Sequence, residues 1–248
     1  LRQLASDPRA RRQEASFVIE GPTLVADAMA AGIDLEAVFA EPGAPDQIRD
    51  AAKQRQVPVY DVVPGALARV VDATTPQPVA AVARRATTTL DDIDPAAPVL
   101  VLAGVSDPGN AGTLLRSAEA AGFAAVLFSA GAVDPFSPKC VRASAGSLFR
   151  IEVMTGGEAA AMLDELAGRG RRRIGTTKSG GVAYHQADLD GPVAIVLGNE
   201  AHGLPAGAER GIDEWVTIPM AGRTESLNVA MAGTLLCFEV ARRARGKP

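Results

Sequence analysis

The sequence predicts an α/β protein in two parts: a small α/β domain, then a larger domain built on a parallel sheet with helices on both faces. Three observations carry that expectation. Residues 99–102 and 193–197 are apolar at every position, the pattern of strands covered on both sides. Amphipathic stretches of helical length alternate with such runs. Between residues 86 and 98 the chain turns polar, carries prolines and loses any hydrophobic period, which marks a linker. The expected divisions are 1–86, a linker over 87–97, and 98–248.

In the first part, strands are expected at 17–19, 37–40, 57–60 and 79–83, with helices over 23–31 and 45–55. Gly21-Pro22 and Gly32 bracket the first helix: proline suits a first-turn position that needs no N–H, and glycine suits the position just past the end. In the second part the expected strands are 99–102, 125–128, 148–153, 173–176, 193–197 and 215–218. The expected helices are 111–121, 138–145, 158–167 and 227–242. The last helix is apolar or small round nearly its whole circumference, so all of its sides need cover. Ala230 and Gly233 permit close backbone approach, and a homodimer interface is expected there; burial within one subunit is the other reading.

Composition excludes several classes. A chain of 248 residues, 47% hydrophobic, buries a real core, and no apolar stretch approaches the ~20 residues that cross a bilayer. The arginine-rich start lacks the apolar segment of a secretory signal, so a soluble, cytoplasmic protein is expected. Cys140 and Cys237 have no CxxC or histidine neighbour at ligand spacing and read as reduced, buried thiols, with no metal site. The net charge of −4 argues against non-specific coating of nucleic acid. Arginines nevertheless cluster: Arg2, Arg9, Arg11 and Arg12 at the start, Arg84 and Arg85 before the linker, and Arg169, Arg171, Arg172, Arg173 with Lys178. Such clusters suit a structured RNA partner, or else are solvated loops. Aromatics are 4% and none is interleaved with these arginines, so base stacking is not expected to carry recognition.

Three polar blocks stand at the ends of apolar runs. In the first, Asp107-Pro108-Gly109-Asn110 opens a helix closed by Gly122, with Asn110 expected as N-cap and Arg116 projecting from the face it shares with Thr113 and Ala120. A guanidinium above strand ends suits a phosphate or ribose oxygen, although a surface arginine beside a carboxylate explains it equally. In the second, the strand ends at Gly198-Asn199-Glu200, where glycine lets a ligand approach the backbone and Glu200 lies at the same sheet edge. His202, like His185, reads as a loop residue. In the third, Ile218-Pro219-Met220 ends a strand, Ser226 is the expected N-cap of the last helix, and Asn228 falls in its first turn, where propensity alone does not explain it. Main-chain groups near Leu197, Ile218 and Leu227 suit the edge of an adenine. Neither a GxxxxGK[ST] loop nor a helix-opening GxGxxG is present, which weakens an NTPase or dehydrogenase reading.

Taken jointly, these blocks resemble the signature motifs of the SpoU (TrmH) branch of the SPOUT RNA methyltransferases. Asp107-Pro108-Gly109-Asn110 with Gly112 and Arg116 resembles the first motif, Leu197-Gly198-Asn199-Glu200 with Gly203-Leu204 the second, and Ile218-Pro219-Met220 with Ser226-Leu227-Asn228-Val229 the third. The segment Asp134-Pro135-Phe136-Ser137-Pro138-Lys139, with Arg142, Ser144 and Gly146, is similar to an inter-motif stretch of that family, and Phe17-Val18-Ile19-Glu20-Gly21 to its ribosomal-protein-like substrate-binding domain. The resemblance implies a C-terminal SPOUT domain with a deep trefoil knot, a homodimer, and transfer of methyl from S-adenosylmethionine to a ribose 2′-hydroxyl, with 23S ribosomal RNA favoured. Transfer RNA, or a non-catalytic RNA-binding protein on the same fold, are the alternatives. It further implies catalytic roles for Asn110, Arg116, Glu200, Ser226 and Asn228, and cofactor binding by Thr176, Leu197, Gly198, Ile218, Met220 and Leu227. RNA contacts are expected from Arg9, Arg11, Arg12 and Arg142. Ala201 and Ala230 depart from the family's common glycine and serine, and Ala201 is expected to stiffen the cofactor loop.

Overall fold

Residues 1–70 and 77–246 are described by the computed structural model. Its N-terminal part runs α1 (Arg2–Ser6), α2 (Pro8–Gln13), β1 (Ser16–Glu20), α3 (Pro22–Ala30), β2 (Leu35–Ala40), α4 (Asp46–Gln54), β3 (Val59–Asp61) and β4 (Val79–Arg84). The strands form one sheet in the order β1-β4-β2-β3, antiparallel except for the β2/β3 pair. Gly21 and Gly32, at φ 96° and 77°, flank α3 as the sequence indicates. Alternation along β1 sends Val18 against Leu4 of α1 and Val82 of β4, while Phe17 meets Phe136 with ring centroids 5.1 Å apart.

Phe136 belongs to a later stretch, and its position corrects the expected domain boundary. The chain divides into two units, Leu1–Ala86 with Asp134–Arg150, and Thr87–Val133 with Ile151–Pro248. Residues 134–150 therefore fold with the N-terminal part, where the sequence reading assigned them to 98–248. Asp134 accepts from Arg11 at 2.7 Å, Arg85 lies 4.7 Å above the Phe136 ring, and Arg142 of α6 (Pro138–Ser144) pairs with the buried carboxylate of Glu20 at 2.8 Å. Left alone in that interior, the Glu20 carboxylate would be strongly disfavoured, so Arg142 is held inward by the fold.

The second unit contains β5 (Val99–Ala103), α5 (Pro108–Ala120), β6 (Ala125–Phe128), β7 (Glu152–Thr155), α7 (Ala159–Gly168), β8 (Arg172–Thr176), β9 (Val182–Ala183), β10 (Val193–Gly198), β11 (Glu214–Thr217) and α8 (Val229–Arg245). Its seven strands pair in parallel in the order β7-β6-β5-β10-β8-β11-β9. The expected strand at 148–153 begins only at Glu152, because Ala145 and Gly146 are left-handed and Ser147–Phe149 forms a 3-10 turn. The helices α1 and α2 and the two-residue β9 were not anticipated, being too short to show a period.

The expected linker is part of this unit's core. Thr89 and Asp92 close a capping box, Leu90 and Ile93 are buried with Val99, Val101 and Leu163, and the buried Arg171 donates to the carbonyls of Asp94 and Ala97. The basic stretch around it is likewise neutralised internally: Arg169 pairs with Asp91 and Glu165, Arg172 with Asp188 and Glu214, and Arg173 with Asp213. Cys140 and Cys237 are buried and form no disulfide among the described residues, and burial pushes the Cys237 thiol up to about 12, so it is unreactive at neutral pH.

Gly233 also serves differently from the expectation. A Cβ there would lie 2.4 Å from Leu114 Cδ2 and 2.6 Å from Leu197 Cδ1, so its small size seats α8 on α5 and β10 of the same chain. Gly233→Ala should therefore destabilise the protein by about 1–3 kcal/mol through overpacking, read as a lower urea midpoint at unchanged slope.

Candidate active site at the strand ends

Parallel strands leave their C-terminal ends at one edge, where ligands of open α/β sheets bind. The loops after β5, β8, β10 and β11 meet there. The loops after β8, β10 and β11, with the start of α8, enclose a cavity of about 730 Å³ whose lining includes Thr176, Lys178, Leu197, Gly198, Trp215, Ile218, Met220 and Leu227. Met220 and Leu227 keep 36% and 37% of their surface exposed, so apolar side chains face open space rather than core. All six residues expected to bind the cofactor line this cavity, as do Glu200, Ser226 and Asn228.

A chain of hydrogen bonds links the three polar blocks. Asn228 is the N-cap of α8: its Oδ1 accepts from the N–H groups of Ala230 and Met231 at 2.8 and 3.4 Å. That fixes the amide so that Nδ2 donates to Asn110 Oδ1 at 3.0 Å. Asn110 Nδ2 in turn donates to Glu200 Oε1 at 2.9 Å, and the Ser106 N–H and hydroxyl reach Glu200 Oε2 at 3.4 and 3.3 Å. Burial would raise the Glu200 carboxyl, but the bonds from Asn110, its own backbone N–H and Ser106 together hold it below the usual carboxylate value. Glu200 is an anion at neutral pH with one oxygen committed to each neighbour.

Two capping assignments change. Asp107, not Asn110, caps α5, accepting from the Asn110 N–H at 2.8 Å, and this leaves the Asn110 side chain free to bridge Asn228 and Glu200. Asn228, not Ser226, caps α8; Ser226 is exposed on the cavity lining and makes no hydrogen bond among the described residues. Arg116 is exposed on α5 together with Thr113 and Ala120, as the helical spacing indicates, and within one chain it does not line the cavity.

The role of Gly198 is also revised. A Cβ on it would lie 2.5–2.7 Å from the backbone of Gly203 and Leu204, so what approaches so closely is the protein's own loop rather than a ligand. That loop is closed by reciprocal Asn199/Gly203 backbone bonds of 2.7 and 2.9 Å, and the Asn199 amide ties it to the Gly104 carbonyl at 3.0 Å. Asn199 Oδ1 accepts from the N–H groups of Ala201 and His202. Ala201 has no positive φ, so alanine is accommodated there without backbone strain.

Of the arginines expected to meet RNA, Arg9 and Arg12 are exposed. Arg11 is buried, bonded to Asp134 and the Leu4 carbonyl, and Arg142 holds Glu20, so neither guanidinium is presented as expected. Sequence reasoning missed Ser106, whose contact with Glu200 spans 94 positions, and Trp215, whose ring occupies space that any Cβ on Gly175 would meet at 2.9 Å.

With this geometry in place, comparison with known proteins defines the class. The model of the SpoU rRNA Methylase family matches residues 97–238, and that of the MRM3-like substrate binding domain matches residues 1–81. The chain belongs to the SpoU rRNA methylase family. It is 32% identical over 231 residues, 93% of this chain and 90% of the relative, to the 23S rRNA (guanosine(2553)-2'-O)-methyltransferase RlmP of Bacillus subtilis. It superposes on an AdoMet-bound rRNA methyltransferase from Sinorhizobium meliloti with a TM-score of 0.87 at 31% identity, covering 98% of this chain and 92% of that one. The SpoU methyltransferase AviRb from Streptomyces viridochromogenes, in complex with AdoMet, gives 0.91 at 25% identity, covering 100% and 97%.

Two outcomes test the site. Because the folded-state value of Glu200 is depressed, the stability it contributes is complete above the unfolded carboxylate value and is lost as pH falls through the folded one. A carboxyl-carbon NMR titration should place the Glu200 midpoint below that of a free glutamate, and Asn110→Ala should raise it. Gly198→Ala should speed amide exchange at Asn199 and Gly203, since the loop must move off the new methyl; unchanged exchange would refute the close-packing account.

Proposed function

We propose that the protein transfers methyl from S-adenosylmethionine to a ribose 2′-hydroxyl of RNA, with 23S ribosomal RNA as the substrate. The observation that carries this reading is the hydrogen-bonded line Asn228–Asn110–Glu200 beside the apolar cavity, because it joins three separate strand ends into one polar edge. The residues present fit the cofactor. A cavity of about 730 Å³ is of the size that holds a small molecule, Ile218, Met220 and Leu227 offer apolar surface for a flat ring, and Thr176 and the loop backbone supply polar contacts.

When bound, S-adenosylmethionine supplies an electrophilic methyl. The chain's residues then have three tasks. Leu227 and Met220, exposed in the cavity, cover apolar surface and exclude water. Asn110 and Glu200, locked to each other, hold the target nucleotide so that its 2′-oxygen lies in line at a near-attack distance of roughly 3–3.5 Å. Arg116 stabilises the developing alkoxide and the adjacent phosphate; a guanidinium offers donors and no acceptor, so the proton passes to a phosphate oxygen or to water. Ser226 stands beside them to hold Arg116 or the substrate. Arg9 and Arg12, exposed on α2, contribute to RNA binding.

The reading includes a homodimer. Met231 and Phe238 lie two turns apart on one face of α8 and are 64% and 46% exposed, while Gly233, Leu236 and Val240 are buried. A continuous apolar face on the terminal helix matches a second copy of itself. The trefoil knot of the family and a cytoplasmic location complete the proposal; no helix among the described residues is long and apolar enough to cross a membrane.

Incubation with labelled S-adenosylmethionine and ribosomal RNA should label the RNA, and a 2′-deoxy substitution at the modified nucleotide should abolish it. Labelling that survives the deoxy substitution would refute ribose chemistry, and an absence of labelling would favour a non-catalytic RNA-binding protein. Arg116→Ala should lower the single-turnover rate by about 10²-fold, and Arg116→Lys should recover only part of it. A Met231→Glu, Phe238→Glu double variant should sediment as a monomer.

A further inference from the structure

We propose that Lys178 recognises the carboxylate of the cofactor's amino-acid end, an inference that rests on the cavity being an S-adenosylmethionine site. Lys178 lines that cavity, and no other lysine or arginine does so among the described residues. Its backbone is pinned at the turn after β8. Thr217 Oγ1 donates to its carbonyl at 3.2 Å, the Thr177 N–H donates to the Val216 carbonyl at 2.9 Å, and Thr177 Oγ1 donates to the Ser179 carbonyl at 2.9 Å. The ammonium itself has no ion pair or hydrogen bond among the described residues. This contrasts with Arg172 and Arg173 on the preceding strand β8, both tied to carboxylates.

The charges around Lys178 sharpen the assignment. Three carboxylates line the cavity, and two are engaged: Glu200 with Asn110 and Ser106, Glu209 with the Gly207 N–H. Glu225 has no ion pair or hydrogen bond among the described residues and gives the complementary charge for the ligand's ammonium. A zwitterionic ligand end leaving water needs a counter-charge for its carboxylate, and a lysine on a flexible stem gives a point charge with three donors. Lys178 is exposed, so the pair is partly screened and its effect modest.

The test compares two ligands that share adenosine and sulfur but differ in the amino-acid end: S-adenosylhomocysteine carries it and 5′-methylthioadenosine lacks it. By titration calorimetry on the full chain, Lys178→Ala should weaken S-adenosylhomocysteine about three- to ten-fold and leave 5′-methylthioadenosine unchanged. Lys178→Arg should restore most of the loss, and the wild-type preference should shrink as salt is raised. Equal weakening of both ligands would assign Lys178 a structural role, and a loss confined to RNA affinity would make it a phosphate contact; either overturns the proposal, as does an unchanged affinity. A wild-type chain that binds neither ligand would instead remove the cofactor reading on which the inference stands.

Discussion

The site depends on one capping interaction. Asn228 accepts from the first free N–H groups of α8, and the same amide donates to Asn110, which donates to Glu200. A helix start needs such an acceptor in any case, so the polar edge of the site is oriented by an interaction that also stabilises the helix. The consequence is a preorganised line of polar groups with one orientation of each amide, where three independent loops would otherwise have to be ordered on binding. Asp107 makes this possible by capping α5 itself and leaving the Asn110 side chain available.

Close backbone packing provides the second constraint. Gly198 admits the 199–203 loop to within contact of the end of β10, and Gly233 admits α8 to the side chains of Leu114 and Leu197. Both glycines act by the absence of a Cβ, and both set distances at the cavity's edge: one between a strand end and its own loop, the other between the last helix and the sheet. The loop and the helix that bound the cavity are thus located by core-like contacts, while Met220 and Leu227 between them stay uncovered.

Electrostatics follow a different division from the one that charge clusters suggest. Arg169, Arg171, Arg172 and Arg173 form the densest basic stretch of the sequence, yet each is bonded within the unit, to carboxylates or to carbonyls of the former linker. Arg11 and Arg142 do the same in the N-terminal unit. A guanidinium with matched acceptors, fully buried at Arg11 and Arg171, organises the fold, whereas Lys178, Arg9, Arg12 and Arg116 are exposed.

Much of the architecture was legible in the sequence because it rests on local rules. Apolar runs marked β5 and β10, a Gly-Pro start and a glycine stop marked α3, and the three polar blocks fell after β5, β10 and β11, strands of one parallel sheet. The cofactor-binding residues inferred from motif resemblance all reach one cavity, since strand ends of a parallel sheet share an edge. What the sequence left open depended on long-range partners. Residues 87–97 look like a spacer until Leu90 and Ile93 find the core, and Asp134–Arg150 look like part of the larger domain until Phe136 and Arg142 meet Phe17 and Glu20. Likewise Asp107 rather than Asn110 caps α5 while the Asn110 side chain finds its partners in space, Asn228 and Glu200. Local propensity and periodicity thus determined the elements and their order, while tertiary packing decided which polar atoms were left to form the site, because a hydrogen bond between residues 118 positions apart has no signature along the chain.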